Sequence, residues 1–511
     1  MGQPAARGRV LVASNRGPIS FTLGDNGQLS ARRGGGGMVS GLLTVAAQAD
    51  LLWVCAALSD ADRTAARAAA GGRIDLDGRA GANGSAVQML DIPPQTFASA
   101  YNGVANSTLW FIHHMLYDLP DQPRFGSEFW RQWEDFRTYN ATFAAALARA
   151  ADHGGANHGA ADHGAAQDGA GQDGAAQGGG RARALVQDYH LALVPRMLAQ
   201  RRPDIRIAHF SHTPWAPPDY FAVLPDAIAR EVLEGILGAD HAGFLCRRWA
   251  DAFADCCQAI LGAEVDRERQ RVTYQGHVTG IGVHALGVDA ADLTSRAAQA
   301  DVEARVRDLT ELAGGRKLIV RIDRTELSKN IVRGLAAYRE LLISRPQWRG
   351  RVMHLAFAYP SRHDLPEYRE YTAAVQRIAK QIVEEFGTED WTPLVLRVDD
   401  DYARSLAAYR VADVLLVNPI RDGMNLVAKE GPIVSDRGCV LVLSREAGAA
   451  AELSDEALMI NPFDVTGTAE ALHEALSMSD EERSRRCARL AAAGTAVPPA
   501  LWFADQLAAL D

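Results

Sequence analysis

The chain has 511 residues, too long for one core, and a size prior of about 100–200 residues per domain points to two to four domains. Its apolar fraction of 48% and charged fraction of 23% are those of an ordinary globular protein. A net charge of −10 argues against a nucleic-acid binder, because no basic surplus exists to neutralise phosphates along a strand.

The N-terminal stretch MGQPAARGRVLVAS runs into a strand-like segment without the apolar core of a signal peptide. The longest apolar runs, such as Leu51–Leu58, fall far short of the ~20 residues of a membrane span. The six cysteines (Cys55, Cys246, Cys256, Cys257, Cys439, Cys487) show no CxxC spacing or disulfide framework. They read as buried free thiols in a reducing cytoplasm.

In chain order, strands are predicted at Val10–Ala13, Leu51–Ala56, Thr108–Phe111, Ala184–Val186 and Arg206–Phe210. Between the third and fourth, from Asp152 to Gly180, the chain is almost wholly Ala, Gly, Asp, Gln, His and Asn. That composition cannot offset the entropy of ordering, so a disordered insertion is expected. His153, His158 and His163 recur within it every five residues, but no helix or hairpin would hold them, and no metal site is assigned. The second half adds strands at Lys317–Arg321, Val352–Ala358, Leu394–Arg397, Val414–Val417 and Cys439–Leu443. Helical patterns at Ile331–Leu342, Tyr368–Phe386 and Asp401–Val411 separate them. Alternation of this kind is the mark of doubly wound parallel sheets, here two Rossmann-like sets joined near Gly282–Asp289. In such sheets ligands bind beyond the carboxyl ends of the strands, and the chemistry is sought there.

After the first strand come Ser14-Asn15-Arg16-Gly17-Pro18 and the run Arg33-Gly34-Gly35-Gly36-Gly37-Met38. The glycines would let N–H groups approach a diphosphate, although the run is not GxGxxG and reads equally as a surface loop. Gln187-Asp188-Tyr189-His190 and Ser211-His212-Thr213-Pro214-Trp215 put carboxylate and imidazole at two further strand ends. In the second half, Arg324-Thr325-Glu326-Leu327-Ser328-Lys329-Asn330 carries two cations that suit a departing diphosphate, or ordinary surface ion pairs. Arg421-Asp422-Gly423-Met424-Asn425-Leu426-Val427-Ala428-Lys429-Glu430 follows the strand Val414–Val417. Its glycine permits a sharp turn, its helix would aim free N–H groups at a phosphate, and Glu430, about two turns along, suits ribose hydroxyls. Asp399-Asp400-Asp401 opens a helical pattern and reads as capping rather than metal binding.

Together these motifs resemble the trehalose-6-phosphate synthase family of retaining GT-B glycosyltransferases. The resemblance runs from about Leu11 to Leu507, broken mainly by the insertion, and includes RDGMNLVAKE, SREAGAAAEL and INPFD in order. It implies an α/β GT-B fold, two Rossmann-like doubly wound domains facing a cleft, with no cofactor and no metal. An acceptor domain would span 1–285, a nucleotide-sugar domain 286–476, and a helical stretch 477–511 would return to the first. By resemblance, Arg16, Tyr101, Trp110 and Arg362 hold an acceptor's 6-phosphate, while Trp53 and Asp188 shape the acceptor sugar site. His212 and Asp422 contact the donor glucose. Gly37, Arg324, Lys329 and the backbone of Asn425, Leu426 and Val427 cradle the diphosphate, Gly423 and Met424 belong to the donor site, and Glu430 takes the donor ribose. Arg324, Lys329, Asp422 and His212 form the catalytic set.

The implied partners are a nucleotide-sugar donor and a sugar-phosphate acceptor, with no nucleic acid or membrane, and a homo-oligomer is left open. The implied reaction moves glucose from UDP- or GDP-glucose to glucose 6-phosphate, giving α,α-trehalose 6-phosphate. The chain departs from the family where RTELSKN stands for RLDYSKG, so that Asn330 replaces a usual glycine, and where SHTPW stands for LHIPFP. These changes surround the donor. They keep open a pseudo-glycosyltransferase joining cyclitols, and a non-catalytic sugar-nucleotide sensor. A nicotinamide oxidoreductase lacks its glycine fingerprint here.

Overall fold

A computed structural model describes residues 9–24, 28–33, 51–76, 85–152, 181–362 and 364–511. The insertion expected at 152–180 and the glycine run with Gly37 lie almost wholly outside them.

The first sheet is built from β1 (Val10–Ser14), β4 (Leu51–Ala56), β5 (Arg73–Asp75), β6 (Ala86–Leu90), β7 (Arg183–Gln187), β8 (Arg206–Ser211), β9 (His241–Phe244), β10 (Glu264–Asp266), β11 (Arg271–Tyr274) and β12 (His277–Val283). A separate hairpin pairs β2 (Ile19–Leu23) with β3 (Leu29–Arg33). The spatial order is β10-β11-β12-β9-β8-β7-β1-β4-β6-β5, with antiparallel pairs only at the two edges. Its central strands are buried along their whole length, which is why they read as apolar runs rather than alternating ones.

The second sheet takes β13 (Lys317–Arg324), β14 (Val352–Tyr359), β15 (Leu394–Arg397), β16 (Val414–Val417), β17 (Val440–Ser444) and β18 (Leu458–Ile460), all parallel, in the order β15-β14-β13-β16-β17-β18. Counted within the sheet this is 3-2-1-4-5-6, the doubly wound order. The parallel strands of the first sheet obey the same rule, since β6-β4-β1 run one way and β7-β8-β9-β12 the other. Each sheet therefore has a switch point, between β1 and β7 in one and between β13 and β16 in the other.

Two sequence expectations need correction. Thr108–Phe111 is helical, inside a continuous run from Pro94 to His114. Thr108, Leu109, Trp110 and Phe111 are all buried, and a short apolar segment buried on every side carries no period by which to tell helix from strand. The return to the first sheet is also shorter than 477–511. The helix Asp480–Thr495 packs on the helix Val427–Val434 of the second half, and only the helix Pro499–Ala508 reaches β7. There Gln506 bonds Gln187 at 3.2 Å and Trp502 packs edge-on against Phe210 at 5.0 Å. All six cysteines are free and buried. Among the described residues no helix is long and apolar enough to cross a membrane.

Candidate active site

A cavity of about 540 Å³ opens where the ends of β1, β7 and β8 face those of β13 and β14. Its lining includes Arg16, Tyr101, Trp110, Asp188, His212, Arg324 and Arg362, gathered from widely separated stretches of both halves. On one side lies a seat for an anion. The Arg362 guanidinium sits 4.2 Å over the Trp110 ring and donates to the Tyr368 hydroxyl at 2.7 Å. The other stacking partner of Trp110 is His114, at 3.8 Å between ring centroids. The indole N–H of Trp110 is buried and, among the described residues, donates to nothing. Tyr101 stacks on His190 at 5.5 Å. Burial works to raise the Tyr101 phenol, but the charges of Arg16 and Arg362 outweigh it and bring it below its usual value. Two guanidiniums and a phenol thus gather on one side of the cavity, which suits a phosphate dianion.

Deeper in, Asp188 ends β7 with φ of 77°, a left-handed backbone that a non-glycine residue adopts at a cost of about 1–3 kcal/mol. Its N–H bonds the Phe210 carbonyl at 2.7 Å, and its carboxylate accepts the His212 N–H at 3.2 Å. Burial opposes ionisation of Asp188, yet the hydrogen bond from His190 and the nearby His212 hold it well below the usual carboxylate range. The His212 ring meets the Gln187 side-chain oxygen at 2.9 Å, and burial pushes its pKa down, so the imidazole is neutral near pH 7.

Trp53 is a correction. It is 0% exposed within β4, and its indole N–H donates to the Ser14 hydroxyl at 2.7 Å. Ser14 lines the cavity, so Trp53 backs the wall instead of forming it.

A second cavity, about 190 Å³, lies beyond β13 between the helices Tyr402–Val411 and Val427–Val434, and is lined among others by Arg324, Lys329, Tyr359, Tyr409, Val427 and Glu430. Arg324, with its side chain 54% exposed, walls both cavities. Lys329 meets Asp422 at 2.5 Å. Burial works against both charges, but each partner sustains the other, so lysine is raised and aspartate lowered. Asn425, at φ 83°, donates to Asp422 at 3.1 Å and accepts the Ala428 N–H at 3.3 Å, which caps the following helix. Among the described residues nothing accepts the N–H groups of Asn425, Leu426 and Val427. Met424 is buried at 4% exposure, with its carbonyl tied to Ala449, so only its backbone borders this turn. Glu430 stands in the first turn of the helix, not two turns along, and bonds the Tyr409 hydroxyl at 3.1 Å. Burial raises its carboxyl pKa.

The two halves touch at Gly423. A Cβ there would lie 2.0 Å from the His212 carbonyl oxygen, and the Gly423 carbonyl accepts the Trp249 indole N–H at 3.0 Å. Asn330 adopts φ 58°, the conformation for which glycine is usual, and its side chain ties the Asn418 and Pro462 carbonyls at 3.0 and 2.8 Å. An asparagine tolerates this backbone better than most residues, and here it also cross-links two loops. The acidic triplet acts as read: Asp401 accepts the Arg404 N–H at 2.9 Å and caps its helix.

Residues 181–510 match the sequence profile of glycosyltransferase family 20. The chain belongs to that family. This family 20 chain is 32% identical over 406 residues to the bifunctional trehalose-6-phosphate synthase/phosphatase of Thermoproteus tenax, covering 79% of itself and 50% of that protein. It thus spans about half the length of this relative. Among solved structures it is similar, at 26% identity, to the trehalose-6-phosphate protein from E. coli bound with UDP-2-fluoro glucose, with a TM-score of 0.81 over 98% of each chain. It is also similar to an alpha,alpha-trehalose-phosphate synthase (UDP-forming) from Burkholderia xenovorans in complex with glucose-6-phosphate. That likeness is at 26% identity and a TM-score of 0.79, covering 98% of this chain and 100% of that one. The family 20 fold is therefore GT-B, with two Rossmann-like halves around a cleft.

Sequence reasoning found the strand-end residues and missed several of their neighbours. His114, Glu326, Ser361, Tyr359, Tyr402 and Tyr409 all stand at the cavities or against their linings. Of these, Glu326 lies within the Arg324–Asn330 motif, and Tyr359 and Ser361 stand just before Arg362.

Proposed function

We propose that this chain is a retaining glycosyltransferase that moves glucose from UDP-glucose to glucose 6-phosphate and releases α,α-trehalose 6-phosphate and UDP. The observation that carries the reading is Arg324, among the described residues the one cation that walls both cavities and so stands between a donor diphosphate and an acceptor phosphate. Family membership and the donor and acceptor analogues bound by the E. coli and Burkholderia xenovorans relatives support it. The six buried free thiols suit a reducing cytoplasm.

The acceptor's 6-phosphate takes the Arg16, Tyr101, Trp110 and Arg362 seat, and Asp188 accepts its sugar hydroxyls. The donor ribose takes Glu430, and the diphosphate takes Arg324, Lys329 and the N–H groups of 425–427. His212 and Asp422 hold the glucose between them. Transfer proceeds on the front face: the glycosidic C–O bond to the diphosphate breaks, the acceptor oxygen bonds the same face, and a diphosphate oxygen takes its proton. The protein supplies position and preorganised charge, each worth several kcal/mol in comparable sites.

Purified protein given UDP-glucose or GDP-glucose with glucose 6-phosphate should yield a disaccharide phosphate by mass, with α,α linkage by NMR after phosphatase treatment. A β linkage, or no disaccharide phosphate from either donor, overturns the reading.

A further inference from the structure

Glu326 is buried against Arg324 and Ser361, which line the cavities, and no step above uses it. Its side chain is 0% exposed, and a buried carboxylate is costly unless paired. Burial pushes its carboxyl up, but Arg324, Arg362 and Lys329 outweigh this and hold it below the usual range. In neutral solution it is therefore a carboxylate. One oxygen, Oε1, accepts the Ser361 hydroxyl at 2.9 Å and forms an ion pair with the Arg324 guanidinium at 3.0 Å. The other, Oε2, accepts nothing among the described residues. The backbone reinforces the junction: the Thr325 N–H bonds the Tyr359 carbonyl at 2.6 Å, which ties the end of β13 to the end of β14. Ser361 directly precedes Arg362, whose φ of 46° leaves that loop in a backbone conformation its surroundings must hold.

A negative charge this close to two anion seats weakens the binding of each anion taken alone. A site built only for affinity would leave it out. Its geometry offers something else: a single oxygen joins the arginine shared by both cavities to the loop that carries the phosphate-seat arginine.

We infer that Glu326 is a positioning residue that couples the two substrates. Phosphate in the acceptor seat fixes Arg362 and with it Ser361. Ser361 then holds the Glu326 carboxylate, and the carboxylate holds Arg324 where the diphosphate departs. This rests on the glycosyl-transfer reading above. Because coupling is reciprocal, a nucleotide in the donor cavity must tighten the acceptor seat by the same factor.

Isothermal titration tests it, with UDP and glucose 6-phosphate as probes, each alone and with the other saturating. Wild type should bind UDP at least about fivefold tighter when glucose 6-phosphate is present, within the usual range of coupling. In Glu326→Gln and in Ser361→Ala that ratio should fall to within about twofold of one, and kcat should fall more than the KM of either substrate rises. If Glu326→Gln fails to fold, Ser361→Ala, which removes only one arm of the bridge, decides. Variants that keep the wild-type ratio, or a wild type that binds both probes with a ratio of one, overturn the inference alone. A wild type that binds neither probe overturns the functional reading and this inference with it.

Discussion

Arg324 and Arg362 carry the same charge but stand in different surroundings, and so different kinetic signatures are expected of them. Arg324 is half exposed at the junction of the cavities, free to meet charge that develops on a leaving group. Arg324→Ala should lower kcat by roughly a hundredfold or more, the scale seen when one transition-state donor is removed. A kcat close to wild type would remove it from the mechanism. Arg362 sits over Trp110 and donates to Tyr368, placed for a charge present in the ground state. Arg362→Ala should therefore raise the acceptor KM about tenfold or more with a smaller change in kcat, and steady-state kinetics with varied glucose 6-phosphate decides. Arg324 was legible in the sequence because it stands at a strand end, and the topology collects strand ends, whereas Arg362 was reached only through the family resemblance. Trp53 misled because a tryptophan inside a buried strand looks the same whether it faces a ligand or supports the serine that does. Glu326 went unassigned because its value lies in partners at Ser361 and beneath Arg324, contacts across space that spacing does not encode.

Among the elements, the turn ahead of the helix Val427–Val434 shows how a local rule becomes a functional constraint. Asn425 in the left-handed region caps the helix, Asp422 pairs with Lys329, and Gly423 lets the second half close on the His212 backbone. The motif predicted a sharp turn from the glycine, and a turn is there. The need for glycine comes from the opposite half of the molecule, which a reading of local sequence does not reach. Gly423→Ala would place a methyl 2.0 Å from the His212 carbonyl oxygen, so the halves must separate there or the turn must shift. Overpacking of this kind costs typically 1–3 kcal/mol. The variant should show a lower Tm and a kcat reduced tenfold or more, since the Trp249 bond to the carbonyl of residue 423 itself is strained as well. Wild-type Tm and kcat together would show that this contact is not made in solution. Thr108–Phe111 marks the limit of element prediction, because a segment buried within other helices leaves no polar face for its period to show.

At the scale of the whole molecule, two sheets with the same winding order bring their switch points face to face, and the helix Pro499–Ala508 straps the second half onto β7. The alternation of strands and helices made the two sheets legible. The strap was less so, because an apolar helical face does not say which half it covers. Closing so much polar backbone around a cleft has also buried histidines on both sides. Burial lowers His113 and His354 to about 3, and His114, His209 and His241 to about 4, against an ordinary value of 6.5. Between pH 4 and 6.5 the unfolded chain binds protons at these sites that the folded chain refuses, so stability rises with pH across that window and levels off above it. Each group withdraws roughly 1–2 kcal/mol at pH 5. Asp188, held low in the fold, loses its contribution as pH falls through and below the range where an unfolded aspartate protonates, which is the same direction, so it does not oppose this trend. The urea midpoint should therefore fall markedly between pH 7 and pH 5 and change little between pH 7 and pH 8. His354 offers the cleanest dissection, since both ring nitrogens lack partners among the described residues and its nearest ring is Tyr338 at 5.0 Å. His354→Leu keeps the apolar volume, removes one refused proton, and should flatten the pH dependence by one group's share while holding or raising the midpoint at pH 5. A midpoint that stays level from pH 7 to pH 5 in the wild type would mean that these imidazoles are reached by water, and that the core around the cleft is looser than its packing implies.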